Sequence, residues 1–184
     1  MKNLFTTITV VFSFLIFSGC SGNSQKEPLT VDNILSNAEE YVEQVVTVKG
    51  LATHVCSKSG MKLFLQGETK DQTIRVESSG SLGKFDPEAV NHNVVVKGKL
   101  VEERIDEAYC QNLEEEIRNN TIVSHGEGGA GCETEQIAEG VAVGSSEMDR
   151  VNDFRARIAE RKASEGKDYL SFYHIAADSY NIVK

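Results

Sequence analysis

Two β-branched stretches carry the same phrase, Val46-x-Val48-Lys49-Gly50 and Val94-x-Val96-Lys97-Gly98. Few folds are open to a chain written this way. Valines two apart share one face of a strand, and β-branched side chains suit a pleated, half-buried sheet. Glycine inside such a strand marks a bulge or a sharp bend of the kind found at barrel corners. The first phrase sits in a strand expected over 45–56. Met61, Leu63 and Leu65 alternate in a second strand that ends at Gly67. A third is expected over 73–78, with Ile74 and Val76 on one side, and a fourth over 94–100. The remaining stretch of strand type is 169–175 (YLSFYHI).

A short amphipathic helix is expected over 29–42: Thr30 can cap it, Asp32 sits in its first turn, and Val31, Ile34, Leu35 and Ala38 share a face. Asp86 and Pro87 suit the cap and first residue of a brief helix reaching about Asn91. Three strands, a short helix, a fourth strand and a late fifth resemble an OB-fold, a small five-stranded Greek-key barrel. The fold class is therefore mainly β with a helical insert (α+β). A β-sandwich would need more strands than are available.

The insert runs from about 102 to 167. Loops of that length need structure of their own, and two helices are expected in it, over 106–119 and 146–162. In the second, Met148, Val151, Arg155 and Ile158 form a stripe with Phe154 beside it, expected to pack against the barrel. Between the helices lies His125-Gly-Glu-Gly-Gly-Ala-Gly-Cys132. No Lys-Ser/Thr pair follows these glycines, which excludes a phosphate-binding P-loop.

The first 20 residues have a short positive start at Lys2, an apolar run from Leu4 to Phe17, small residues Ser18 and Gly19, then Cys20. The run is too short to span a membrane comfortably, since a spanning helix needs about 20 apolar residues. It fits a secretory signal. Phe17-Ser18-Gly19-Cys20 resembles the lipobox of bacterial lipoprotein signal peptides, with Phe where Leu is usual. That resemblance implies cleavage before Cys20, a diacylglycerol on its thiol and a further acyl chain such as palmitate on its amino group. Each buried CH₂ contributes about 0.8 kcal/mol, so two or three chains anchor where one would not. Residues 1–19 would be the signal and 20–28 a polar tether, followed by the barrel domain over 29–184.

Residues 29–101, including His54-Val-Cys56-Ser-Lys-Ser-Gly60-Met-Lys62 and the two Val-x-Val-Lys-Gly phrases, resemble small exported bacterial OB-fold proteins. Many of these are lipoproteins, and most have no known function. The resemblance implies a fold and an address in the bacterial cell envelope, the outer membrane before the inner, with the membrane itself a partner through the anchor.

Candidate chemistry is sparse. His54 and Cys56, two apart on a strand, face one way and could hold a soft metal ion or do thiol work. His125 and Cys132 form a second such pair, and joining the two would require the end of the first strand and the insert to converge. Membrane-anchored OB-fold haem chaperones carry a Tyr four residues after a His. Here His174 is followed by Tyr180, six residues on. Gly-x-Ser-x-Gly and His-Glu-x-x-His are both missing from the sequence, and Glu114–Glu116 reads as a solvated helix face, so no enzyme is expected. With Cys20 lipidated, Cys56, Cys110 and Cys132 remain. About ten residues of strand at roughly 3.3 Å each separate Cys56 from Cys110, against the roughly 7 Å between Cα atoms that a bridge tolerates. If a disulfide forms, the expected one is therefore Cys110–Cys132, within the insert, with Cys56 free; a reducing habitat would leave all three reduced.

Lys2 is the only charged residue before Cys20, so the processed chain would carry 18 basic against 28 acidic residues, a net charge of −10. Phosphate backbones want a basic face, so nucleic acid is disfavoured. The usual OB ligand face, on strands two and three, offers only Lys62, Phe64 and Arg75. The expected function is a membrane-anchored, non-enzymatic binding module for a protein, peptide or oligosaccharide. No cofactor is expected. The alternative is metal, haem or redox handling through His54 and Cys56, with a metal ion as its cofactor.

Overall fold

The computed structural model describes residues 27–119 and 132–183. The expected signal segment, Cys20 and His125 lie outside them. Strands β1 (Leu29–Thr30), β2 (Val45–Val55), β3 (Lys62–Gln66), β4 (Thr73–Ser78), β5 (Asn93–Ile105) and β6 (Leu170–Val183) form one sheet. Its order is β1-β2-β3-β4-β6-β5, and β5 pairs back with β2. The last five strands thus close an OB-fold-like barrel. β4 and β6 run parallel, the other barrel pairs antiparallel.

The repeated phrase works as its glycines suggest. Val46, Val48, Val94 and Val96 point into the core and are buried. A Cβ on Gly50 would come within 2.7 Å of Val31 Cγ2. One on Gly98 would collide with the Ala176 carbonyl, at the bulge where β5 shifts register against β6 between Lys97 and Gly98. Leu63, Leu65, Ile74, Val76, Leu100, Ile175 and Ala177 complete the barrel interior.

One end is stopped by two short helices, α1 (Val31–Ser36) and α2 (Ala38–Tyr41), which replace the single expected helix. Leu29 and Thr30 are taken up by a parallel pairing with Val48 and Lys49. Thr30 then caps α1 through Asn33 N–H (3.1 Å), and Val31, Ile34 and Ala38 enter the core. Asp86 caps the expected brief helix, a single 3-10 turn over Pro87–Ala89.

The fourth and fifth strands are longer than alternation indicated. Their ladder runs unbroken from Leu100↔Ile175 to Ile105↔Leu170, beyond the last β2 partner of β5, Lys99. This extension carries the insert: α3 (Glu107–Arg118), α4 (Glu133–Glu139) and α5 (Glu147–Glu165). Asp106 caps α3, and Ser146 with Asp149 forms a capping box on α5. A second core gathers Ile105, Cys110, Leu113, Val151, Phe154, Ile158 and Leu170. The α5 stripe therefore packs on α3 and the strand extension. Arg155 is not part of that apolar contact: its guanidinium pairs with Glu107 (3.0 Å) and Glu114 (2.8 Å) on α3.

Candidate functional site

Residues directly opposite across a ladder share a face. His54 pairs with Phe64, Phe64 with Arg75, and Arg75 with His174. These four form one row across the outside of β2, β3, β4 and β6. Lys62 and Glu77, also paired, make the next row. At the end of β2, Cys56 N–H donates to the Lys62 carbonyl (2.9 Å), which extends the pairing by one residue and brings Cys56 to the outer side. His54 and Cys56 thus share a face.

This is the surface on which OB-folds usually take ligands, and here the chain covers it. Helix α4 lies against β4. Phe64, outward between inward Leu63 and Leu65, is fully buried. The Glu135 carboxylate of α4 sits 2.5 Å from Lys62 Nζ and 3.4 Å from Arg75 Nη1. Arg75 also pairs with Glu103 (2.8 Å) and lies 3.1 Å from Glu77. Both cations expected from the sequence to form a binding face are therefore occupied by carboxylates of the same chain. On its other side α4 is tied to α5: Arg150 grips both Glu139 oxygens at 2.8 and 2.7 Å.

Burial and charge set the protonation of the cluster. Burial alone would push Glu135 up, but the Lys62 hydrogen bond and charge, with Arg75 and Arg150, hold it below the usual carboxylate range. Burial lowers both His54 and His174, against the opposing pull of Glu135 and Glu77 respectively, so both favour the neutral form. His174 Nδ1 is buried without a hydrogen-bond partner. Glu139, deeper between α4 and α5, is raised by burial despite Arg150.

The thiols divide by place. Burial pushes Cys56 up, yet the Ser59 hydroxyl and N–H, the Lys58 N–H and the Lys62 charge together bring it below the ordinary thiol value. Cys132 is the N-cap residue of α4. It is raised chiefly by burial, with Glu135 and Cys56 adding to the effect. Cys110 is fully buried in the second core. All three described thiols are unbridged. Cys132 opens α4, whose Glu135 meets Lys62 beside Cys56, and Cys110 lies in the second core. Among the described residues no three or more His, Cys, Asp or Glu side chains are grouped to hold a metal ion.

His174 and Tyr180 serve different surfaces. His174 joins the outer row, while the Tyr180 hydroxyl accepts from Asp86 N–H (2.9 Å) and its ring packs on Phe85 with centroids 5.2 Å apart. Sequence reasoning missed Glu135, Glu103 and Glu77 as partners of the outer row. The alternation of Phe64 and Arg75 with inward neighbours could have located that row, but nothing local points to the carboxylates that meet it.

A different surface is open. On the outside of β2 and β5, Val45 is paired with Lys99, Thr47 with Lys97, Lys49 with Val95 and Leu51 with Asn93. Val45 is 61% exposed and Leu51 38%. Lys99 meets Glu43 at 2.8 Å, whereas Lys49 and Lys97 have no described carboxylate partner. A groove of about 940 Å³ crosses this face, lined by Glu27, Leu29, Tyr41, Val45, Thr47 and Lys97 among others.

Fold and surface together define the class, an OB-fold-like barrel with a helical insert closing its usual ligand face. No family model matches the chain, and no curated protein matches it.

Proposed function

We propose that this is a lipid-anchored binding module of a bacterial envelope, without catalytic chemistry of its own, that holds its partner on the outside of β2 and β5. The observation that carries the reading is that exposed Val45 and Leu51 share the outer face of β2 and β5 with Lys49 and Lys97, which have no described carboxylate partner, on a chain whose overall charge is acidic. Lys62 and Arg75 support the same reading by default, since Glu135 already occupies them. Glu27, where the described chain begins, lines the same groove. An acylated Cys20 would thus hold this face a short tether from the membrane.

The partner that fits is an envelope protein or peptide offering an acidic stretch beside apolar side chains. Affinity capture with the native, lipidated protein tests it. K49E/K97E should lose the captured partner while melting like the parent, because neither lysine has a described carboxylate contact to lose. Equal recovery of the same partner would overturn the assignment of this face, and an oligosaccharide recovered in its place would overturn the partner class.

A thiol-dependent role is the second reading. It is favoured by one observation, the Ser59 and Lys58 groups and the Lys62 charge that bring the Cys56 thiol below its ordinary value.

A further inference from the structure

We propose that two copies of this chain join edge to edge, antiparallel, along residues 179–183 of β6. The inference is independent of the β2–β5 binding surface and stands on where the barrel leaves backbone unpaired. β4 accompanies β6 only from Arg75↔His174 to Ser78↔Ala177. One further bond, from Ser79 N–H to the Ala177 carbonyl at 3.0 Å, ends that side. β5 stays with β6 as far as Asn93↔Val183. Beyond Ala177, β6 therefore has a sheet neighbour on one side alone among the described residues.

The ladder decides which groups are left over. In an antiparallel pair the backbone groups of successive residues point to alternate sides. Leu100 N–H donates to the Gln44 carbonyl at 3.0 Å, so Leu100, Gly98, Val96 and Val94 turn to β2, and Lys97, Val95 and Asn93 turn to β6. Their partners Ser179, Asn181 and Val183 turn back to β5. The N–H and C=O groups of Tyr180 and Ile182 point to the open side, where no described backbone group bonds to them. The loop after β4 does reach Tyr180, but at its side chain: Asp86 N–H donates to its hydroxyl, and Phe85 packs on its ring.

Open edges are ordinarily guarded by charge, proline or a bulge. Residues 179–183, Ser-Tyr-Asn-Ile-Val, carry no charge and no proline, and the register shift of β6 lies before them. What fits this edge is a second copy of it. A two-fold axis through Asn181 sets Tyr180 opposite Ile182 and Ser179 opposite Val183. Tyr180 N–H donates to the second copy's Ile182 C=O, that copy's Ile182 N–H donates back to the Tyr180 C=O, and the axis repeats both bonds. Asn181, which is exposed, meets itself at a position where Cα atoms stand about 4.5 Å apart. An amide carries both donor and acceptor, so the two satisfy each other. The chain carries a net charge of −9, and this uncharged run lets two copies approach without like charges directly opposite. Val183, 41% exposed, gains a neighbour in the second copy's Ser179. The joint makes one sheet, β2-β5-β6 of one copy followed by β6-β5-β2 of the other, and sets their outer faces side by side.

Cross-linking by register tests it. The Cα separation at position 181 lies within the range a disulfide spans, so the full chain carrying N181C should form a linked dimer under mild oxidation, with peptide mapping placing the link at 181. S179C alone should not, because about 13 Å separates its two copies, four residues of strand at roughly 3.3 Å each. S179C mixed with V183C should link one to the other. Sedimentation equilibrium of the parent needs no variant to fold: its average mass should rise with concentration toward twice the monomer, and N181K, which sets like charges across the axis, should stay monomeric. A parent that holds the monomer mass at every concentration overturns the proposal. So does S179C linking to itself as readily as N181C, or N181C linking to a different protein in the envelope and not to its own copy.

Discussion

Glu135 neutralises the outer face of the barrel. Its carboxylate serves Lys62 and Arg75, whose side chains are 22% and 15% exposed. Removing it leaves two partly buried cations short of a partner, and breaking such a contact from one side costs more than the intact pair is worth. Glu135→Ala should therefore destabilise the protein by about 2 kcal/mol, read as a lower urea midpoint, while Lys62→Met with Glu135→Met should recover part of that loss. The histidines of the same face set a pH dependence. His54 and His174 have folded values below their ordinary 6.5. At these two sites the unfolded chain therefore binds more protons as pH falls through 6.5, and their contribution to stability drops over that range. Glu135, also held low, adds a second loss further into acid, as pH falls below the carboxylate range toward its folded value. Urea midpoints measured between about pH 7 and pH 5 should fall steadily, and His174→Gln should flatten the slope. A slope unchanged in that variant would show that His174 does not set it.

At the scale of elements, β6 closes the barrel between β4 and β5. Its residues pair with β4 on one side, from Arg75↔His174 to Ser78↔Ala177, and with β5 on the other, from Asn93↔Val183 to Ile105↔Leu170. A chain ended before Asp168 should lose both ladders, expose the β4 and β5 edges and melt without a cooperative transition by circular dichroism. A sharp melt near the parent temperature would contradict this topology. What could be read beforehand follows from burial. The barrel strands were legible because a closed sheet forces strict inward alternation, as at Val46, Val48, Val94 and Val96. The extension Val101–Ile105 was not, because only Ile105 of that stretch is buried and Glu102, Glu103 and Arg104 break the pattern. Helix α4 was invisible to apolar periodicity for a sharper reason: its buried residues are Glu135, Gln136 and Glu139. They are held by Lys62, by Gly144 N–H (2.8 Å) and by Arg150, contacts made with residues far along the chain or in the next turn. The covered state of Lys62, Phe64 and Arg75 was hidden with it. His54 and Cys56 share the face the sequence indicates, and the helix that meets Lys62 beside them is the unforeseen α4.

At the scale of the whole molecule, Glu27, seven residues after the proposed anchor at Cys20, lines the groove on the open face. Cys20→Ser should leave the precursor unprocessed or release the protein from the membrane fraction, and normal cleavage with continued pelleting would rule out the lipid anchor. The central claim is that the outside of β2 and β5 is occupied in the envelope while the outside of β3 and β4 is closed by the protein itself. Lysine acetylation rates, compared between intact envelopes and the purified protein, test it most directly. Lys49 and Lys97 should react several-fold more slowly in the envelope, and Lys62, already held by Glu135, should react slowly in both. Equal rates for Lys49 and Lys97 in the two states, or protection that appears only at Lys62, would contradict it.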